Sequence, residues 1–162
     1  MKKFNIEIRW AVIYAGMTLL WAIGGKIIGF DNAKIKYSFV FNTLILVPGF
    51  VIFLLEAFAK RKSQNGIITY KQALFSGFML SVFIMCLGIF TTIITTKIIS
   101  PDYFSNAIAF YTDNRSMTGE QAVQQFNLQA FIVQGIFGAI ITGVLFSLVT
   151  SAIVRKNNKF SN

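Results

Sequence analysis

Six acidic side chains are spread through 162 residues, and one of them, Glu56, falls inside a long apolar stretch. A carboxylate placed there is a candidate for proton or ion handling, because charge in hydrocarbon is costly and is usually functional. It also has a plainer use. Lys60 lies one helical turn further on, and an i,i+4 pair would satisfy the acid near the end of its helix. Pro48-Gly49 is the second candidate, because a helix broken in mid-membrane can build a substrate site in a transporter. Such kinks are also common as plain structure.

Catalytic chemistry finds little to use. There is no His, so the usual neutral-pH base is missing. The single Cys86 is expected in mid-membrane, where its thiol is inert, and one cysteine leaves no internal disulfide. Asp102, Asp113 and Glu120 are scattered and read as solvated surface. No Gly-rich phosphate loop follows a strand, and no cluster has metal-ligand spacing. An enzyme would therefore need carboxylates far apart in sequence to converge in the fold. The expectation is no catalytic residue, no cofactor and no metal.

The elements that carry these residues are long and apolar. Hydrophobic residues make up 55% of the chain and charged residues 13%, whereas a soluble domain carries about 25% charge. A spanning helix needs about 20 apolar residues. Four stretches qualify: 10–28, 37–59, 73–96 and 128–154. The fold class expected is all-α: one membrane domain over 1–162, a four-span helical bundle. Thr69-Tyr70-Lys71-Gln72 fits a capping box before the third span, and Ser63-Gln64-Asn65-Gly66 reads as a turn. Pro48 should kink the second span.

The basic residues alternate in side. Lys2, Lys3, Arg9, Lys60, Arg61, Lys62, Lys71, Arg155, Lys156 and Lys159 fall on one side of the spans; Lys26, Lys34, Lys36, Lys97 and Arg115 fall on the other. Positive charge collects on the cytoplasmic side, so both termini are expected there. The net charge of +9 is then a topology signal, and nucleic acid is not an expected partner. Lys26, in the last turn of the first span, can snorkel outward.

Residues 97–127 form the longest connection and should hold structure of their own. Ser100 suits an N-cap with Pro101 at the first helical position. Tyr103, Phe104, Ala107, Ile108 and Tyr111 can share one helical face, 112–116 reads as a turn, and Thr118 to Gln121 is a second capping box. Two short amphipathic helices would result, as a lid over the outer ends or as a binding surface.

Small residues recur every four positions in the last span: Gly135, Ala139, Gly143, Ser147 and Ser151. Ala73, Gly77 and Ser81 repeat that spacing in the third. Such stripes let helix backbones approach closely, either inside one bundle or across a homodimer. Asn42, Thr91, Thr92, Thr95, Thr96 and Gln134 place polar groups in the outer half, as interhelical bonds or as the lining of a small cavity.

Several of these segments together resemble a known family. They are Lys2-Lys3-Phe4 with Ile8-Arg9-Trp10-Ala11, Thr69-Tyr70-Lys71-Gln72 with Ser76-Gly77, Ile99 to Phe104, Met117-Thr118 to Ala122, and Phe126-Asn127-Leu128. In order and spacing the chain is similar to domain-of-unknown-function family 4199, bacterial four-helix membrane proteins. The resemblance implies an inner-membrane protein and supplies no functional residues. The functional expectation is a non-enzymatic membrane component that binds a protein or lipid partner, the candidates being membrane lipid, another membrane protein or a second copy of itself. The alternative is a small-solute transporter or channel using the Pro48-kinked helix.

Overall fold

In the computed structural model, residues 4–156 are described, and they form seven α-helices and no strand. Lys2, Lys3 and Lys159 lie outside the described residues. The helices are α1 (Asn5–Ile28), α2 (Ser38–Leu44), α3 (Leu46–Ser63), α4 (Tyr70–Ile94), α5 (Tyr103–Asp113), α6 (Gly119–Gln125) and α7 (Leu128–Val154). Four stretches are long and apolar enough to cross a membrane: Asn5–Ile28, Ile35–Ser63, Tyr70–Ile99 and Leu128–Val154. All four contain the expected spans.

The ends of the helices follow local chemistry. α1 stops in a Schellman motif: Gly29 takes a φ of +90°, the Phe30 N–H bonds the Gly25 carbonyl, and the Gly29 N–H bonds that of Lys26. Asn65 and Gly66 also take positive φ, in the turn expected after α3. Both capping boxes form. Thr69 Oγ1 accepts from the Gln72 N–H at 3.3 Å while the Gln72 side chain accepts from the Thr69 N–H at 2.9 Å. Thr118 and Gln121 do the same. The second span is interrupted where α2 ends at Leu44 and α3 begins at Leu46. Pro48 explains the site: it has no N–H to donate, and its ring crowds the carbonyl four residues back, which is that of Leu44.

Two expectations at the end of the third span need correction. α5 starts at Tyr103, not Pro101, and its N-cap residue is Asp102, which makes no side-chain cap bond. The cause lies upstream. Residues Thr95–Ile99 continue α4 as a π-helical turn, and Ser100, which should have capped α5, is spent ending it: its N–H bonds the Thr95 carbonyl at 2.8 Å. Lys26 also does more than reach outward, since its ammonium donates to the Ile99 carbonyl at the end of that turn.

The chain divides into two compact units. The first contains residues up to Tyr14, Val47–Leu87 and from Phe137 onward; the second contains Ala15–Leu46 and Gly88–Ile136. The division coincides with the charge pattern. Arg9, Lys60, Arg61, Lys62, Lys71, Arg155 and Lys156 all belong to the first unit, and Lys26, Lys34, Lys36, Lys97 and Arg115 to the second.

In the first unit, Ala11, Phe53, Leu80 and Ile84 form a buried core with Tyr14 and Phe146 against it. Gly49 is where Tyr14 comes close: a Cβ there would lie 3.3 Å from the ring. The small-residue stripes meet here. Gly77 faces Ser147, and Gly143 faces Ser81 so closely that a Cβ on either glycine would collide with its serine. Each serine hydroxyl bonds a carbonyl of its own helix, Ser147 to Gly143 and Ser81 to Phe78, which leaves the contact itself a matter of packing. A second cluster of Ala57, Ile68, Ala73 and Val154 is tied by reciprocal backbone bonds between Ile68 and Lys156.

In the second unit, Ile35, Ala107, Ala122 and Phe126 are buried beneath Tyr103, Phe104, Ile108 and Tyr111. The expected face of α5 is therefore the packed face. Burial pushes the Tyr103 phenol above its ordinary value of 10, partly offset by a hydrogen bond with Ser38. Gly25 leaves room for Phe41, whose ring stacks on Trp21 and Phe30 with centroids at 4.8 and 4.4 Å.

Gly143→Ala is expected to destabilise the protein by about 1–3 kcal/mol through overpacking against Ser81, whereas Gly135→Ala, with open space around its Cβ position, changes it little. Thermal unfolding in detergent checks the pair. Equal effects at the two sites would contradict the packing described.

Candidate functional site

The residues most able to do chemistry converge in the first unit. Glu7 lies on α1 and is 1% exposed; Glu56 lies on α3 and is 0% exposed; Ser76 lies on α4 and is 1% exposed. The Ser76 hydroxyl stands 2.7 Å from Oε1 of Glu7 and 2.7 Å from Oε1 of Glu56. Lys60, on α3, places its ammonium 2.5 Å from the same Glu7 oxygen. Among the described residues this is the one ion pair. The remaining oxygens, Oε2 of Glu7 and of Glu56, are buried without a hydrogen-bond partner.

Helical spacing explains how the site is assembled. Glu7 and Ala11 share a face of α1, and Ala11 is fully buried, so Glu7 points inward with it. Gly49, Ile52, Phe53, Glu56 and Ala57 form the buried face of α3, and Ala73, Ser76, Gly77 and Leu80 that of α4. Glu7 also stands in the first turn of α1, where the helix dipole favours an anion.

The expected pairing of Glu56 with Lys60 is therefore wrong. Lys60 has crossed to Glu7, and Glu56 bonds Ser76 instead. The i,i+4 spacing permits the local pair, but in the fold the Lys60 ammonium lies on Glu7 Oε1. Sequence reasoning also missed Glu7, which sits ahead of the first apolar stretch. Its spacing four residues before an inward-facing alanine is the signal that could have found it. Ser76 was quoted only for family likeness.

The other candidates are placed as follows. Pro48 lies in the first turn of α3, beside the break. Gly77, Ser81, Gly143 and Ser147 pack together, Ser151 is buried, and Ala139 packs against the first core. Gly135 is exposed with open space around it. Cys86 is free and exposed on α4. Asp102, Asp113 and Glu120 are exposed, as expected. Thr91 and Thr96 return their hydroxyls to carbonyls of their own helix, at Gly88 and Thr92, and Asn42 is exposed. Gln134 lines an open groove of about 680 Å³ with Met117, Gln121, Gln124 and Gln125. Among the described residues no three His, Cys, Asp or Glu side chains are grouped to hold a metal ion.

An all-α fold with four membrane-length apolar helices and an internal polar cluster defines a multi-pass membrane protein. The chain belongs to the family described as protein of unknown function, DUF4199, whose pattern matches residues 9–156. Neither a curated protein nor a solved structure matches it.

Removing one member of a buried ion pair leaves the other uncompensated and costs about 3–5 kcal/mol. Lys60→Met is expected at the lower end of that range, because its side chain is 17% exposed. Lys62→Met, at an exposed position, should stay within about 0.5 kcal/mol. Chemical denaturation in mixed micelles measures both, and an unaffected Lys60→Met would show that the pair contributes nothing.

Proposed function

We propose that this protein is a non-enzymatic component of a bacterial inner membrane, with both termini in the cytoplasm, that binds lipid and a second membrane helix. One observation carries the reading: the place where the Glu7 and Glu56 carboxylates converge is closed. Glu7 and Glu56 are sealed from substrate, and the chain itself supplies the neighbouring cation and hydroxyl. A catalytic role needs an open position for substrate or water, and this cluster is enclosed.

The outside of the helices supports the rest. Leu20, Ile27, Phe39, Phe90, Ile98 and Phe137 are each more than half exposed, which suits lipid contact. Gly143 and Ser147 are consumed by packing within the chain, so a partner helix would need another face. Gly135 is the small residue of the stripe that remains open. The segregation of seven described basic residues into the first unit supports the cytoplasmic placement of that unit's helix ends.

The break before Pro48 favours one second reading, a small-solute transporter, since interrupted helices expose backbone groups for binding.

Cysteine crosslinking at Gly135→Cys in a Cys86→Ser background tests a partner face that pairs copies. The expected result is a disulfide dimer at Gly135 and none at Leu145→Cys, a lipid-facing control. Equal yields would remove the face. Proteoliposome flux separates the second reading: a solute current altered by Pro48→Ala would favour transport over the non-transporting component.

A further inference from the structure

The hydrogen-bond geometry around Ser76 contains more oxygen contacts than its own proton can serve. A serine hydroxyl has one hydrogen to donate. Ser76 Oγ nevertheless lies 2.7 Å from Glu7 Oε1 and 2.7 Å from Glu56 Oε1. If both carboxylates were ionised, one contact would join two acceptors with nothing between them. Short O···O distances of this kind require a hydrogen in each. The three oxygens therefore need two protons, and the serine supplies one.

We infer that Glu7, Ser76 and Glu56 form a binding site for one proton, held as the carboxylic acid of Glu56. Lys60 fixes the direction. Its ammonium is on Glu7 Oε1 at 2.5 Å, which makes Glu7 the anion of the pair. The relay then runs one way. The Glu56 acid donates to Ser76 Oγ, the Ser76 hydroxyl donates to Glu7 Oε1, and Lys60 donates to the same oxygen from the other side. A second observation agrees. Oε2 of Glu56 is buried with no partner, as is Oε2 of Glu7; the Lys60 ammonium offsets the charge of Glu7 alone, so the neutral acid falls on Glu56. With the proton present the cluster is neutral, one cation against one anion. Without it, α1, α3 and α4 would enclose a net negative charge. This inference goes beyond the proposed function and does not depend on it: the proton is a resident ligand that completes the contact of three helices.

Infrared spectroscopy of the full chain in nanodiscs at neutral pH, with thermal unfolding of the same samples, tests it. The expected spectrum has a carboxylic-acid C=O band, resolved from ionised carboxylates, that is lost in Glu56→Gln and kept in Glu120→Gln. Glu56→Gln should unfold at the parent temperature, because its amide N–H can donate to Ser76 as the acid does. Glu7→Gln should unfold lower, because Lys60 loses its anion. A parent spectrum without the band overturns the inference whatever the yield of the variants. A band that survives Glu56→Gln, or a Glu56→Gln protein less stable than Glu7→Gln, overturns it too.

Discussion

Between tightly packed helices little water can reach a buried polar group, so such a group depends on partners supplied by the chain. The contact of Glu7, Ser76, Glu56 and Lys60 is the place where this constraint bears hardest. Two acids at 1% and 0% exposure sit among helices whose other buried residues are apolar or small, such as Ala11, Phe53, Leu80 and Ser81. Their bonds cannot be exchanged for water without moving α1, α3 or α4. The effective penalty for burying an ion is several kcal/mol, large beside the roughly 5–15 kcal/mol that holds a typical domain together. The packing of the first unit therefore has to keep this cluster closed.

The neighbouring packing meets that need with small residues. Between α4 and α7 the closest approaches are Gly77 to Ser147 and Gly143 to Ser81. Ser76 is adjacent in sequence to Gly77, so the residue that links the two acids stands beside one of the closest backbone approaches in the unit. On α3, Gly49 gives way to Tyr14, and the helix break before Pro48 lies just beyond. Polar connection and close helix contact thus occupy the same short stretches of chain.

Much of the fold was legible in the sequence because membrane spans are written in composition. The fourth span was placed at its observed limits, and both capping boxes formed, because each depends on a few adjacent residues. The break before Pro48 followed from the chemistry of one ring. The start of α5 was misplaced because the π-helical turn at Thr95–Ile99 has no comparable local signature. The polar cluster was half legible. Glu56 stood out as an acid in an apolar run, yet its partners come from two other helices, 49 residues before it and 20 after. Local spacing favoured Lys60, and only the three-dimensional arrangement of α1, α3 and α4 could reveal that Lys60 serves Glu7 instead.

The central claim is that Glu7 and Lys60 are coupled across two helices. A double-mutant cycle of Glu7→Gln and Lys60→Met, read by equilibrium unfolding in a lipid-like medium, measures that coupling directly. An interaction energy near the upper part of the about 0.5–3 kcal/mol range for residues in contact is expected. Additive effects, with no interaction energy beyond error, would mean that the two side chains do not depend on each other, and the cluster would lose the role given to it here.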